Sequence, residues 1–206
     1  MQDQRTIVLM DSNDRDTALA QTLADAFQND PAMGWILQDP IVRQAALPKL
    51  FKLLIRSDRR SGWVLASGRS QAVTLWRAPG KTYAPIVEMI CEAIPLIGAL
   101  GPHLPRALAL SDAIEAHHPK VGNYWYLHIA GVSPDHQGKG WGGIAIREGL
   151  MRANAQGKAV LLETATPTNV PLYQRLGFVV TEEWDAPKGG PHFWTMWRKA
   201  GQREAG

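Results

Sequence analysis

Four glycines fall within six residues at Gly138-Lys139-Gly140-Trp141-Gly142-Gly143. The run before them, Tyr124–Val132, reads as a long strand, and the run after them, Gly142–Gln156, as a helix stopped by Gly157. No other feature limits so tightly what this chain can fold into. Glycine permits dihedrals closed to other residues and lets the backbone approach a ligand. The helix start adds unpaired N–H groups and a positive dipole end, so the bend is a cradle for a phosphate or diphosphate, with Lys139 as extra positive charge. It lacks the Gly-Lys-Ser/Thr ending of a nucleotide-binding P-loop. Gly138-x-Gly140-x-x-Gly143 has dinucleotide spacing, but Gln156-Gly157-Lys158 stands where the ribose-binding acid belongs.

The rest of the chain reads as alternating strands and helices. Thr6–Met10 is a short strand. Asp14 is placed to cap a helix over Arg15–Gln28, ended by Asn29-Asp30-Pro31. A loop carrying Trp35 and Ile36 follows, closed by Asp39-Pro40, and then a helix over Ile41–Ser57. Gly62–Ala66 and Ala72–Trp76 read as a hairpin around Gly68-Arg69-Ser70. Tyr83–Leu100 and Pro105–His117 read as helices. After the bend, Val160–Thr164 is a strand, Asn169–Leu176 a short helix stopped by Gly177, and Phe178–Glu183 and His192–Arg198 are final strands. This order gives an α/β fold, a mixed sheet with helices on its faces.

Composition sets the outer limits. A chain of 206 residues is long enough for one domain with a real core. The net charge of +3 is too mild to argue for nucleic acid. One cysteine, Cys91, allows no internal disulfide and suits a reducing compartment. Asp3, Asp11 and Asp14 interrupt any leader-like apolar region. Ile86–Leu100 carries Glu88, Glu92 and Pro95 and falls short of the ~20 apolar residues a membrane span needs. Met1–Arg5 and Gly201–Gly206 read as polar tails. His117-His118 has no acidic or cysteine cluster beside it, so no metal site is expected. No elbow motif supports a serine hydrolase. The expectation is a cytoplasmic protein, monomer or homodimer, with no nucleic-acid or membrane partner.

A second motif is Asn169-Val170-Pro171-Leu172-Tyr173-Gln174-Arg175-Leu176-Gly177-Phe178. Asn169 reads as a helix N-cap, and Tyr173, four residues on, shares its face.

Together these motifs resemble the GNAT acyltransferases. Gln137-Gly138-Lys139-Gly140-Trp141-Gly142 matches their Gln/Arg-x-x-Gly-x-Gly/Ala signature, and the Asn, Tyr, Gly-Phe series follows at the family's distance. Phe27-Gln28-Asn29-Asp30-Pro31, Trp76-Arg77-Ala78-Pro79-Gly80 and the Trp-rich end are similar to the puromycin-acetyltransferase-like branch. The resemblance implies a central, mostly antiparallel twisted sheet with helices on both faces. It implies one domain over 1–206: an N-terminal half (6–80), a helical acceptor-side segment (82–118) and an acetyl-CoA-binding half (124–198). It also implies N-acetyl transfer from acetyl-CoA to a small-molecule amine, the alternatives being a non-catalytic acyl-CoA sensor and a peptide or protein N-acetyltransferase. By the same resemblance, backbone groups of Ile129, Ala130, Gly131 and Val132, the amides of Gln137, Gly138, Lys139, Gly140, Trp141, Gly142 and Gly143, and Asn169 hold the cosubstrate. Tyr173 protonates the departing thiolate.

An amine nucleophile needs a base. Strand alternation puts Tyr124, Tyr126, His128, Ala130 and Val132 on one face and Trp125, Leu127 and Ile129 on the other. His128 is one candidate base, because imidazole accepts a proton near neutrality. Glu163 on the next strand is the other, or it binds the cationic substrate. Trp35, Trp125 and Tyr126 are candidate walls of the acceptor pocket.

Overall fold

A computed structural model describes residues 7–11, 13–81, 94–120 and 122–202. Its organising element is the strand Tyr124–Val132 (β4), apolar along most of its length because both its faces are covered. β4 is the middle strand of a seven-stranded sheet of order β1-β2-β3-β4-β5-β7-β6. The others are β1 (Ile7–Leu9), β2 (Gly62–Ser67), β3 (Ala72–Arg77), β5 (Ala159–Thr164), β6 (Val179–Asp185) and β7 (His192–Arg198). Every neighbouring pair is antiparallel except β4 and β5. The mixed, mostly antiparallel sheet expected from the sequence is therefore present.

The parallel pair is short. β4 and β5 are in register only at Tyr124↔Ala159, Trp125↔Val160 and Tyr126↔Leu161. Beyond this β4 runs on to Val132 and β5 to Thr164 without pairing, so the two strands part. One edge of β4 is left open to a ligand, because unpaired strand amides and carbonyls need other partners.

On the other side of β4, Leu75 pairs with Ile129 but Trp76 pairs with Leu127. His128 is thus the extra residue of a β-bulge, which reverses the alternation beyond it. The single-face reading of Tyr124 through Val132 is corrected accordingly. Tyr126, Ile129 and Gly131 lie on the side of the first helix, where a Cβ on Gly131 would come within 2.7 Å of Leu23 Cδ2. Trp125, Leu127 and Ala130 join the opposite core. Val132 is also on that side, touching Gly142. A sequence pattern of period two carries no mark of one inserted residue.

Helices cover both faces. On one lie α1 (Asp16–Ala26), α2 (Pro31–Ile36), α3 (Pro40–Ser61), α4 (helical over residues 94–100) and α5 (Leu104–Ala116), around a core that includes Leu19, Leu23, Phe51 and Ile55. Buried Asp16 ties α1 to α3 through Arg59, at 2.5 Å, and Arg56, at 3.3 Å. On the other lie α6 (Trp141–Ala155) and α7 (Val170–Arg175). There Trp76 is fully buried under Gly149, where a Cβ would sit 2.1 Å from the indole. Gly149 is what lets α6 reach the sheet.

Two local expectations are replaced. The segment with Trp35 and Ile36 is helical rather than a loop: the Asp30 carboxylate accepts from the N–H groups of Ala32 and Met33 with Pro31 at the first position, a strong start signal. Asp14 does not cap α1, whose N-cap is Arg15 with no side-chain bond. Of the helix expected over Tyr83–Leu100, residues 82–93 lie outside the described residues, and Cys91 with them. Among the described residues no helix is long and apolar enough to cross a membrane, and no group of three or more His, Cys, Asp or Glu residues is placed to hold a metal ion.

Candidate active site

Where β4 and β5 part, two cavities meet. The first, about 700 Å³, runs from the glycine bend along β4 to α7. Gly138 (φ +71°) and Gly140 (φ +84°) take left-handed backbone conformations, Gly140 as the N-cap of α6. Such geometry is close to glycine-only. Gly142 lies against Val132, where a Cβ would come within 3.0 Å of the valine methyl. Among the described residues, the amides of Gly138 through Gly143 donate to no backbone carbonyl outside the helix itself, whereas the next amide, Ile144, returns to Gly140. The bend therefore presents a row of donors at a helix N-terminus to the cavity, the arrangement that binds phosphate groups.

The second cavity, about 310 Å³, lies under α2, α3, α4 and α5. It shares Phe27, Asp30, Ala130, Asn169 and Tyr173 with the first. Its floor is polar. His128 Nδ1 is 2.7 Å from Asp58 Oδ2, and Asp58 Oδ1 accepts from Arg77 Nε at 2.6 Å. Asp58 is wholly buried. Burial pushes the Asp58 carboxyl up, but His128 and Arg77 outweigh it and hold it below the usual carboxylate range. With an ionised carboxylate on Nδ1, the imidazole carries its proton there and keeps Nε2 as the acceptor. Burial, reinforced by Arg77, draws the His128 pKa below its ordinary value against the opposing pull of Asp58. The ring is neutral at pH 7, the state a base requires.

Glu163 faces His118, with Oε1 at 2.8 Å from Nε2, and both side chains are almost wholly buried. The Tyr126 hydroxyl also faces it. Burial first, and then Glu163, raises the Tyr126 pKa well above the phenol range. At the junction, burial followed by the charge of Asp30 pushes Tyr173 up to about 12, so its hydroxyl stays protonated. Burial raises Asp30 too, against hydrogen bonds from Met33, Ala32 and Thr166.

Several residues singled out in the sequence converge here. Ala130, Gly131, Val132, Gln137, Gly138, Gly140, Trp141, Gly142, Gly143, Asn169 and Tyr173 line the first cavity, and Tyr126, His128, Ile129 and Glu163 the second. Asn169 makes no N-cap hydrogen bond; a 3-10 turn, Pro167–Asn169, leads into α7, and Asn169 lines both cavities instead. Three others are not brought in. Lys139 lines neither cavity, its ammonium donating to the Asp135 carbonyl at 2.7 Å. Trp125 lies on the far side of the sheet, stacked on Trp63 at 3.6 Å between ring centroids. Trp35 packs beside Gly190 and under Arg106, outside both linings.

Asp30, Asp58 and Arg77 were not expected as site residues. The Asp-Pro start of α2 is a readable signal for Asp30. Asp58 carries none, because its partner is 70 positions away in the chain.

The comparisons agree with this architecture. Residues 107–178 match the Acetyltransferase (GNAT) family. The whole structure is similar to that of a histone acetyltransferase HPA2 and related acetyltransferase from Corynebacterium glutamicum, with TM-score 0.73 and 24% identity over 98% of this chain and 97% of that chain. It is also similar to arylalkylamine N-acetyltransferase 2 from Aedes aegypti (TM-score 0.62, 13% identity, 95% and 98% covered). A third likeness is to Drosophila melanogaster polyamine N-acetyltransferase, an enzyme that forms N-acetylagmatine (0.61, 19%, 94% and 100%). At these identities the structural likeness is one of fold. The family match runs from α5 through the glycine bend to Phe178, the stretch that supplies most of the first cavity's lining, and the whole chain shares the fold of these acetyltransferases.

Proposed function

We propose that the chain transfers an acetyl group from acetyl-coenzyme A to the primary amine of a small molecule. One observation carries this reading: the cleft beneath the glycine bend and the acceptor cavity open into each other at Ala130, Asn169 and Tyr173, where β4 has lost its partner strand. In the reading, the amides of the bend hold the diphosphate and the open edge of β4 receives the pantetheine arm and the thioester. The modest acceptor cavity and the small-amine enzymes among the structural neighbours support a small acceptor over a polypeptide.

The chemistry divides between two side chains. The amine nitrogen forms a bond to the thioester carbonyl carbon as the carbon–sulfur bond breaks. His128 Nε2 takes the proton the ammonium must lose, with Asp58 holding the ring and Glu163 serving as counter-ion to the entering ammonium. The Tyr173 O–H, protonated over the whole working range, supplies a proton to the leaving sulfur and is restored by the second N–H proton, which the nitrogen sheds as the amide forms. The sequence likeness of Phe27–Pro31 and Trp76–Gly80 supports placing the chain near the puromycin-acetyltransferase-like branch. The lone cysteine supports a cytoplasmic location.

Release of free thiol from acetyl-coenzyme A across an amine and aminonucleoside panel, paired with calorimetry of coenzyme A binding, tests the proposal. Turnover with at least one small amine is expected. Binding without turnover of any amine overturns it. The pH profile of kcat adds a check. The His128 pKa lies below 6.5, so kcat is flat through neutrality and falls only as the pH drops beneath that value. Tyr173 imposes no alkaline loss until the pH approaches about 12.

A further inference from the structure

The acceptor cavity is two-sided in its chemistry. The only carboxylates lining it among the described residues are Asp30 and Glu163, and both stand at the floor, beside His128 and Tyr173. The opposite end is built by α3, α4 and α5, with Leu50, Leu54, Leu96, Leu100, Leu110 and Ile114 turned into it. Ser111 is the one polar side chain these three helices contribute. Glu163 is buried at the floor, with 3% of its side chain exposed and Oε1 2.8 Å from His118 Nε2, and it borders the cavity. A buried carboxylate on the cavity wall offers an entering ammonium a charge-assisted hydrogen bond.

We infer that the acceptor is an amphipathic monoamine, bound with a single ammonium group against Glu163 and an alkyl or aryl body among the leucines of α3, α4 and α5. The inference rests on the acetyl-transfer reading above and names its substrate class. A second cationic group on the far end of the acceptor would lie among aliphatic side chains with no carboxylate among the described residues to meet it, which costs more than the contacts return. An apolar body gains from the same surface.

The test is a matched pair on the full chain. Heptylamine and 1,6-diaminohexane have the same number of heavy atoms and differ by a methyl against an ammonium at the far end. Heptylamine is expected to show kcat/KM at least ~100-fold higher, as for a polar group left unpaired in a closed site. Ser111→Asp, which puts a carboxylate at the apolar end, is expected to narrow that ratio by about tenfold or more. Glu163→Gln is expected to raise KM for heptylamine by at least about tenfold while coenzyme A binding holds. Equal or better turnover of 1,6-diaminohexane overturns the inference and leaves the acetyl-transfer reading standing. If heptylamine is not acetylated while other amines are, the outcome is the same. If no amine in the wider panel releases thiol, both fall.

Discussion

The two halves of the site are made of different material. The first cavity, the cosubstrate cleft of the proposed function, is framed by the glycine bend, the open edge of β4 and the turn into α7. Most of it comes from two segments, Ala130–Gly143 and Thr166–Arg175, each nearly continuous in sequence. The acceptor cavity is built from side chains contributed by α2, α3, α4, α5, β3, β4, β5 and β7. Main-chain recognition tolerates change in most side chains and fixes a few glycines. Side-chain recognition follows every substitution in its lining.

The largest effect is expected at the boundary between the halves. Tyr173 lines both, and the proposed function gives its hydroxyl a chemical role. Tyr173→Phe keeps the ring and its packing on Phe178, 5.9 Å between centroids, and removes only the hydroxyl. We expect kcat to fall by about 10²–10⁴, with coenzyme A affinity unchanged within about twofold. Loss of affinity without loss of turnover would make Tyr173 a wall of the cleft instead. The measurement is steady-state kinetics beside calorimetry.

Asp58 comes next, on the side-chain half. In the proposed function it acts through His128, 2.7 Å away, as a positioning residue. Asp58→Asn is expected to lower kcat by ~10–100-fold, the range for a partner that orients a functional histidine. The pH profile separates this from a merely structural loss. Asp58 raises the His128 pKa by charge and by hydrogen bond. Removing the charge lowers that pKa further, so the acid limb of kcat must move to lower pH. A limb that stays in place, or moves up, would sever Asp58 from the base. Arg77 loses its 2.6 Å partner in the same variant, so the melting temperature is followed alongside.

The unequal legibility of the two halves has the same origin. The bend, the strand before it, the helix after it and the Asn169–Phe178 segment could be read from the chain because their function is local. Gly138 and Gly140 are needed for their own φ angles, and the spacing of Asn169 and Tyr173 is that of one short turn of helix. Most element boundaries could be read to within two residues for the same reason. The bulge at His128 could not, because it is a property of the pairing with Leu75 and Trp76 rather than of β4 alone. That one residue moved Ala130 and Val132 off the face of His128, whereas Trp125, before the bulge, lies opposite Tyr126 by plain alternation. Asp58 and Glu163 meet His128 and His118 only once α3, α5, β4 and β5 are assembled, and no spacing rule joins positions so far apart.

On the main-chain half, Gly140→Ala tests whether the amides act through their geometry. The left-handed conformation costs an alanine ~1–2 kcal/mol. If the bend relaxes to avoid this strain, the donor row is lost from its alignment. Coenzyme A affinity should then weaken by about tenfold, with kcat at saturating cosubstrate little changed. Unaltered affinity would show that the backbone of the bend is not the diphosphate holder.

The smallest effect is expected at Lys139, and it is the sharpest discriminator between main-chain and side-chain recognition. From its place in the bend, Lys139 reads as a phosphate-binding cation. In the folded chain its ammonium donates to the Asp135 carbonyl at 2.7 Å, and the side chain lines neither cavity. An exposed charge held away from its supposed ligand contributes little through water and is screened by salt. Lys139→Ala should therefore change the coenzyme A dissociation constant by less than about threefold at physiological ionic strength. A loss of tenfold or more, shrinking as salt is added, would mean that Lys139 leaves Asp135 when the cosubstrate arrives. The cleft would then share the dependence on side chains that distinguishes the acceptor cavity.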